Sequence, residues 1–109
     1  MTEIKLNVYN EDMKTIKKEC KAEMIEIPFG VIRKLMQLFN IDKLEDTNAI
    51  LNIVMSSWEN VVSLLDKIFP DMEEDDWDTV STKELVQAIY AILKGAFKEM
   101  MSIPVDSKN

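Results

Sequence analysis

Two stretches of this chain, Asp46–Phe69 and Lys83–Met101, repeat apolar residues at helical spacing, and the acidic run Asp71–Asp78 lies between them. A helix on the surface of a small domain buries a stripe of roughly 100° or a little more. In the first stretch Ile50, Ile53, Val54, Trp58, Val61, Leu65, Ile68 and Phe69 form that stripe, and Leu51, Met55 and Val62 widen it. In the second, Leu85, Ile89, Ile92, Leu93, Ala96 and Met100 form the stripe, and Val86, Tyr90, Phe97 and Met101 carry it further round. Apolar surface beyond what one core consumes calls for a partner. Met55, Val62, Val86, Tyr90, Phe97 and Met101 are therefore the candidate partner-binding residues, with Trp58, Leu65, Phe69, Leu85, Ile89 and Leu93 as the shared core.

The remaining elements follow from local chemistry. Ile4, Leu6 and Val8 alternate with Glu3, Lys5, Asn7 and Tyr9, the period of a half-buried strand. Asn10, Glu11 and Asp12 supply a turn. A second alternation places Ile16, Cys20, Ala22 and Met24 on one parity, broken by Lys18, and switches at Ile25 and Ile27, which predicts a hairpin with a bulge or a strand end near Met24. A lone hairpin is marginal in water, so it must dock on the helices or pair with a neighbouring copy. Pro28 opens a helix running through Val31, Ile32, Leu35, Met36, Leu38 and Phe39 to about Asn40. Asp42 or Asp46 caps the next helix, read as one continuous rod about 36 Å long and closed by Pro70. Asp71 and Glu74 suit a short acidic helical turn with Trp77 tucked inward, and Ser81 with Glu84 forms a capping box for the last helix. The prediction is an α+β, mostly α domain: an N-terminal β-hairpin (1–27) followed by a bundle of three main helices and one short acidic helix (28–101), then a flexible tail (102–109).

The chain's 109 residues allow one core. Net charge is −7 and is carried by residues 46–109, with twelve acidic against five basic side chains, whereas residues 1–45 balance eight against eight. That balance disfavours a nucleic-acid ligand. A single cysteine allows no internal disulfide. Met1–Val8 has neither a basic n-region before an apolar run nor a small-residue cleavage site, and no stretch is apolar enough to span a bilayer. The expectation is a cytosolic protein without membrane contact.

Catalytic chemistry finds little to work with. Histidine is absent, which removes the commonest general base and metal ligand. Cys20 has no base beside it and reads as a buried or edge thiol. An EF-hand loop from Asp71 would need glycine where Asp76 stands and glutamate where Thr82 stands, so the carboxylates read as a solvated, solubilising loop. The two glycines, Gly30 and Gly95, form no phosphate-cradling loop. No enzyme activity, metal or cofactor is expected.

The order of several motifs resembles a known family. These are Ile4-Lys5-Leu6-Asn7-Val8-Tyr9, Phe29-Gly30 leading into Val31-Ile32-Arg33-Lys34-Leu35-Met36, Asp42-Lys43-Leu44, Trp58 in the long helix, Ile68-Phe69-Pro70, the acidic turn with Trp77 and Val80, and Lys83-Glu84-Leu85. Over nearly the whole chain they resemble the small tail assembly chaperones of long-tailed phages and prophages (siphophages) of Gram-positive bacteria. The resemblance implies a non-catalytic protein that binds the tape measure protein in the host bacterial cytoplasm, helps tail tube protein gather around it, and is absent from the mature virion. It also implies a frameshifted longer form of the chain as a partner, and the surplus apolar face admits a homo-oligomer. Two other classes compete: a structural tail component retained in the virion, and an acidic regulator or inhibitor that mimics nucleic acid through Asp71–Asp78.

Overall fold

The computed structural model describes residues 3–39 and 45–102, with side chains described as far as Lys98. Strand β1 (Glu3–Tyr9) pairs antiparallel with β2 (Ile16–Glu23), placing Ile4 opposite Ala22, Leu6 opposite Cys20 and Val8 opposite Lys18. Asp12 builds the connecting turn by accepting the backbone N–H groups of Lys14 (2.9 Å) and Thr15 (3.0 Å). Met13 takes the left-handed position there, with φ 58°. Of the two alternatives at Met24, the strand end is the one found, followed by a 3-10 turn over Met24–Glu26. A bulge lies at the other end: Val8 faces Lys18 but Tyr9 faces Ile16, leaving Lys17 extra. One inserted residue reverses the parity beyond it, so Ile16 is exposed where the alternation had placed it inward.

Helix α1 (Phe29–Leu38) starts after Pro28 and stops just short of Asn40, with buried Phe39 as its C-cap. Asp46 caps α2 (Thr47–Ser56), accepting N–H groups from Asn48 (3.0 Å) and Ala49 (3.2 Å). Asp42 lies outside the described residues. The continuous rod expected over residues 46–69 is corrected: the chain breaks at Ser57 (φ −128°, ψ 34°), and α3 runs separately over Trp58–Ile68. Ser57 N–H still closes α2 on Ile53 O (2.8 Å), and its carbonyl accepts Val61 N–H to open α3 (2.9 Å). Ser57 makes no side-chain capping bond, so these two backbone bonds alone hold the junction, at a serine pair of the kind where helices commonly kink.

Helix α4 (Thr82–Ser102) begins at Ser81, whose Oγ accepts Glu84 N–H (3.4 Å). The capping box is only half made, because the Glu84 carboxylate accepts the Tyr9 hydroxyl instead. Glu84, Ala88, Ala91 and Gly95 recur at helical spacing. At one end of this row Glu84 meets Tyr9, and at the other a Cβ on Gly95 would sit 3.3 Å from Met24 Sδ. Small residues thus let α4 lie close along the hairpin. Its other face carries buried Val86, Ile89, Ile92 and Leu93 into the helices. One hydrophobic cluster runs from Ile4 through Leu35, Leu65 and Phe69 to Ala96, with Trp58 and Leu85 half-buried at its margin. Ser102 closes α4, and the rest of the tail read as flexible lies outside the described residues. Among the described residues no helix is long and apolar enough to cross a membrane.

Candidate functional site

The break at Ser57 makes Trp58 the first residue of α3, so that Trp58, Val62 and Asp66, spaced by four, line one side of that helix. The acidic connector forms the facing wall. Between them lies a groove of about 850 Å³ whose apolar lining is Trp58, Val62, Met72 and Trp77, and whose polar lining is Glu59, Asp66, Glu74, Asp75 and Asp78. The two indoles meet edge to face, 5.7 Å between centroids at 79°, within the favoured range for aromatic pairs. Trp77 Nε1–H donates to Asp66 (3.1 Å), which ties the connector wall to α3.

The connector keeps its shape because it is fastened to the hairpin. Asp76 is 2% exposed and accepts from Lys18 Nζ (2.7 Å), Lys17 Nζ (3.3 Å) and Glu73 N–H (2.9 Å). Lys18 and the Glu73 N–H, with Lys17 adding less, outweigh burial and hold the Asp76 carboxyl at about 2. Lys18 also donates to Asp71 O (2.9 Å). Buried Met72 brings its Sδ within 3.4 Å of Cys20 Sγ, and Val80 bridges to Val8. The capping pair is Glu73 with Asp76, in place of the expected Asp71 and Glu74. Asp76 therefore departs from the solvated role read for the whole run. Burial pushes the Cys20 thiol up, away from the reactive thiolate form.

Among the described residues no cation pairs with Glu59, Asp66, Glu74, Asp75 or Asp78. Unneutralised carboxylates around a low-dielectric floor concentrate negative potential in the groove. A segment offering apolar side chains and Lys or Arg would gain burial against the indoles and cation–π contact as well as charge pairing. No group of three or more His, Cys, Asp or Glu with metal-holding geometry occurs among the described residues.

The six candidate residues do not form one surface. Among those whose side chains are described, Val62 alone lines the groove. Met55 is 74% exposed on α2 and Phe97 41% exposed on α4. Val86 is corrected to the core, because α4 is covered on two sides, by the hairpin and by the helices. Tyr90 is half-buried, with its hydroxyl donating to Glu45 (2.8 Å) and Lys94 Nζ 5.4 Å from its ring centroid. The Met101 side chain lies outside the described residues. Trp58, Met72 and Trp77, which complete the groove, were missed as binding residues. The Ser56-Ser57 pair was the available signal. Also missed were exposed Ile25, on the turn leading into α1, and Phe29, the first residue of that helix. Comparison with protein-family models, with curated proteins and with solved structures finds no match to this chain.

Proposed function

We infer that this protein is a non-catalytic assembly chaperone that holds a client segment in the acidic, tryptophan-lined groove, acting in the host bacterial cytoplasm as phage tail assembly chaperones do. The client is the tape measure protein, with tail tube protein as a further partner. The observation that carries the reading is the groove itself: two indoles packed edge to face, with Val62 and Met72, surrounded by five carboxylates without cationic partners among the described residues. Such a lining suits reversible capture. Burial of a few side chains at about 25 cal/mol per Å² yields useful affinity once association entropy is deducted. Exposed Met55, Ile25 and Phe29 add adaptable apolar contacts outside the groove.

Co-expression with the neighbouring tape measure protein tests this. The expected result is soluble client that co-purifies with the chain, and loss of both on Trp58→Ala with Trp77→Ala. Client that stays insoluble and unbound beside the wild-type chain contradicts the proposal. The unpaired carboxylates also favour the acidic-mimic reading, which predicts the opposite ranking: Glu74→Gln, Asp75→Asn and Asp78→Asn together would abolish activity while the tryptophan variants retained it.

A further inference from the structure

We propose that β2 pairs antiparallel with β2 of a second copy of this chain, centred on Cys20, so that a four-stranded sheet spans the dimer. The far edge of β1 meets Val80 at Val8, whereas among the described residues β2 has no backbone partner beyond β1. An open edge of this kind is a template for another strand. Its charges say which strand.

On the solvent face of the hairpin, the register sets Glu3 opposite Glu23 and Lys5 opposite Lys21. Like charges directly opposite are unfavourable, so the β2 charges are not complementary to β1. They are complementary to themselves. Glu19 and Lys21 flank Cys20, and both are exposed, joined along the strand by a 3.5 Å ion pair. A two-fold axis through Cys20 lays Glu19 of each copy opposite Lys21 of the other, and Lys18 opposite Ala22 on the inner face. The bulge at Lys17, whose ammonium is engaged by Asp76, bounds the pairing at each end.

The same residues reject the neighbouring registers. Centring on Glu19 sets Glu19 against itself and Lys17 against Lys21. Centring on Lys21 sets Lys21 against itself and Glu19 against Glu23. A slip of a single residue would turn the inner face, buried Cys20 and Ala22, toward the charged one. Attraction in one register and repulsion in the others is how a strand edge specifies its partner.

The test is sedimentation equilibrium on the full chain and three variants, with circular dichroism to confirm folding. Wild type should dimerise. Glu19→Lys and Lys21→Glu should each weaken dimerisation at least about tenfold, since symmetry converts two favourable cross-strand pairs into two repulsive ones. Mixing the two single variants should restore a dimer, because positions 19 and 21 are then both lysine in one copy and both glutamate in the other. The double variant Glu19→Lys/Lys21→Glu should dimerise alone. A monomeric wild type, single variants that dimerise like wild type, a mixture that does not associate or a monomeric double variant would each overturn the proposal.

Discussion

The groove beside α3 and the solvent face of β2 are both charged surfaces, and they are charged in opposite ways. Around the groove five carboxylates stand without cations, among the described residues, over an apolar floor. On the solvent face of β2, Glu19, Lys21 and Glu23 alternate in sign with no apolar residue between them, while Cys20 and Ala22 face inward. Single-sign charge around a concavity favours a partner of different composition, one that brings cations. Alternating charge on a strand edge is satisfied by a second copy of itself. Asp76 links the regions, since its carboxylate belongs to the acidic run yet is bound by Lys17 and Lys18 of β2.

That link is where the largest effect is expected. Asp76→Ala removes the buried acceptor shared by Lys18 Nζ, Lys17 Nζ and the Glu73 N–H and unfastens the groove wall, costing about 3 kcal/mol in urea unfolding. Asp75→Asn and Asp78→Asn should stay within about 0.5 kcal/mol. Equal costs for the three would erase the distinction between the buried carboxylate and the rim. The pH dependence has a definite sign. The Asp76 carboxyl ionises at about 2 in the fold against 3.8 when unperturbed. Its contribution is present above about pH 4 and is lost as pH falls through about 2. Asp76→Ala should therefore flatten the acid limb of the stability profile.

A smaller loss, about 2 kcal/mol, is expected for Trp58→Ala, which removes a half-buried ring and the edge-to-face contact with Trp77. This variant should weaken client binding while leaving β2 charge-variant behaviour unchanged. The smallest effect is a gain. Lys5→Glu replaces the Lys5–Lys21 opposition by an attractive pair and should stabilise the hairpin by about 0.5 kcal/mol in urea unfolding. Destabilisation there would show that the like-charge column is relieved by other contacts.

Much of the fold was legible because its signals are local. The alternation of Ile4, Leu6 and Val8, the cap at Asp46, and Ser81 before Glu84 each concern a few adjacent residues, and the structure uses all three. The break at Ser57 was hidden because buried Ile50, Val54, Val61, Leu65 and Ile68 keep helical spacing across it. The bulge at Lys17 was hidden because it lies at the start of β2, where Ile16 alone precedes it in the strand to show the other parity. The groove was least legible. Six carboxylates between Asp71 and Asp78 look alike in sequence, and only the fold brings Lys18 to one of them. Nor does periodicity distinguish a tryptophan at the core margin from one on a groove floor.

A client seated in the groove would lie against the chain's own reporter. Its two tryptophans, Trp58 and Trp77, both line that groove. Titrating tryptophan-free helical segments of the tape measure protein, with Lys or Arg beside their apolar face, while recording tryptophan emission is therefore the most direct measurement. A saturable blue shift that weakens with added salt is the predicted result. Segments that co-purify with the chain yet leave the emission unchanged would place the client elsewhere and contradict the proposed site.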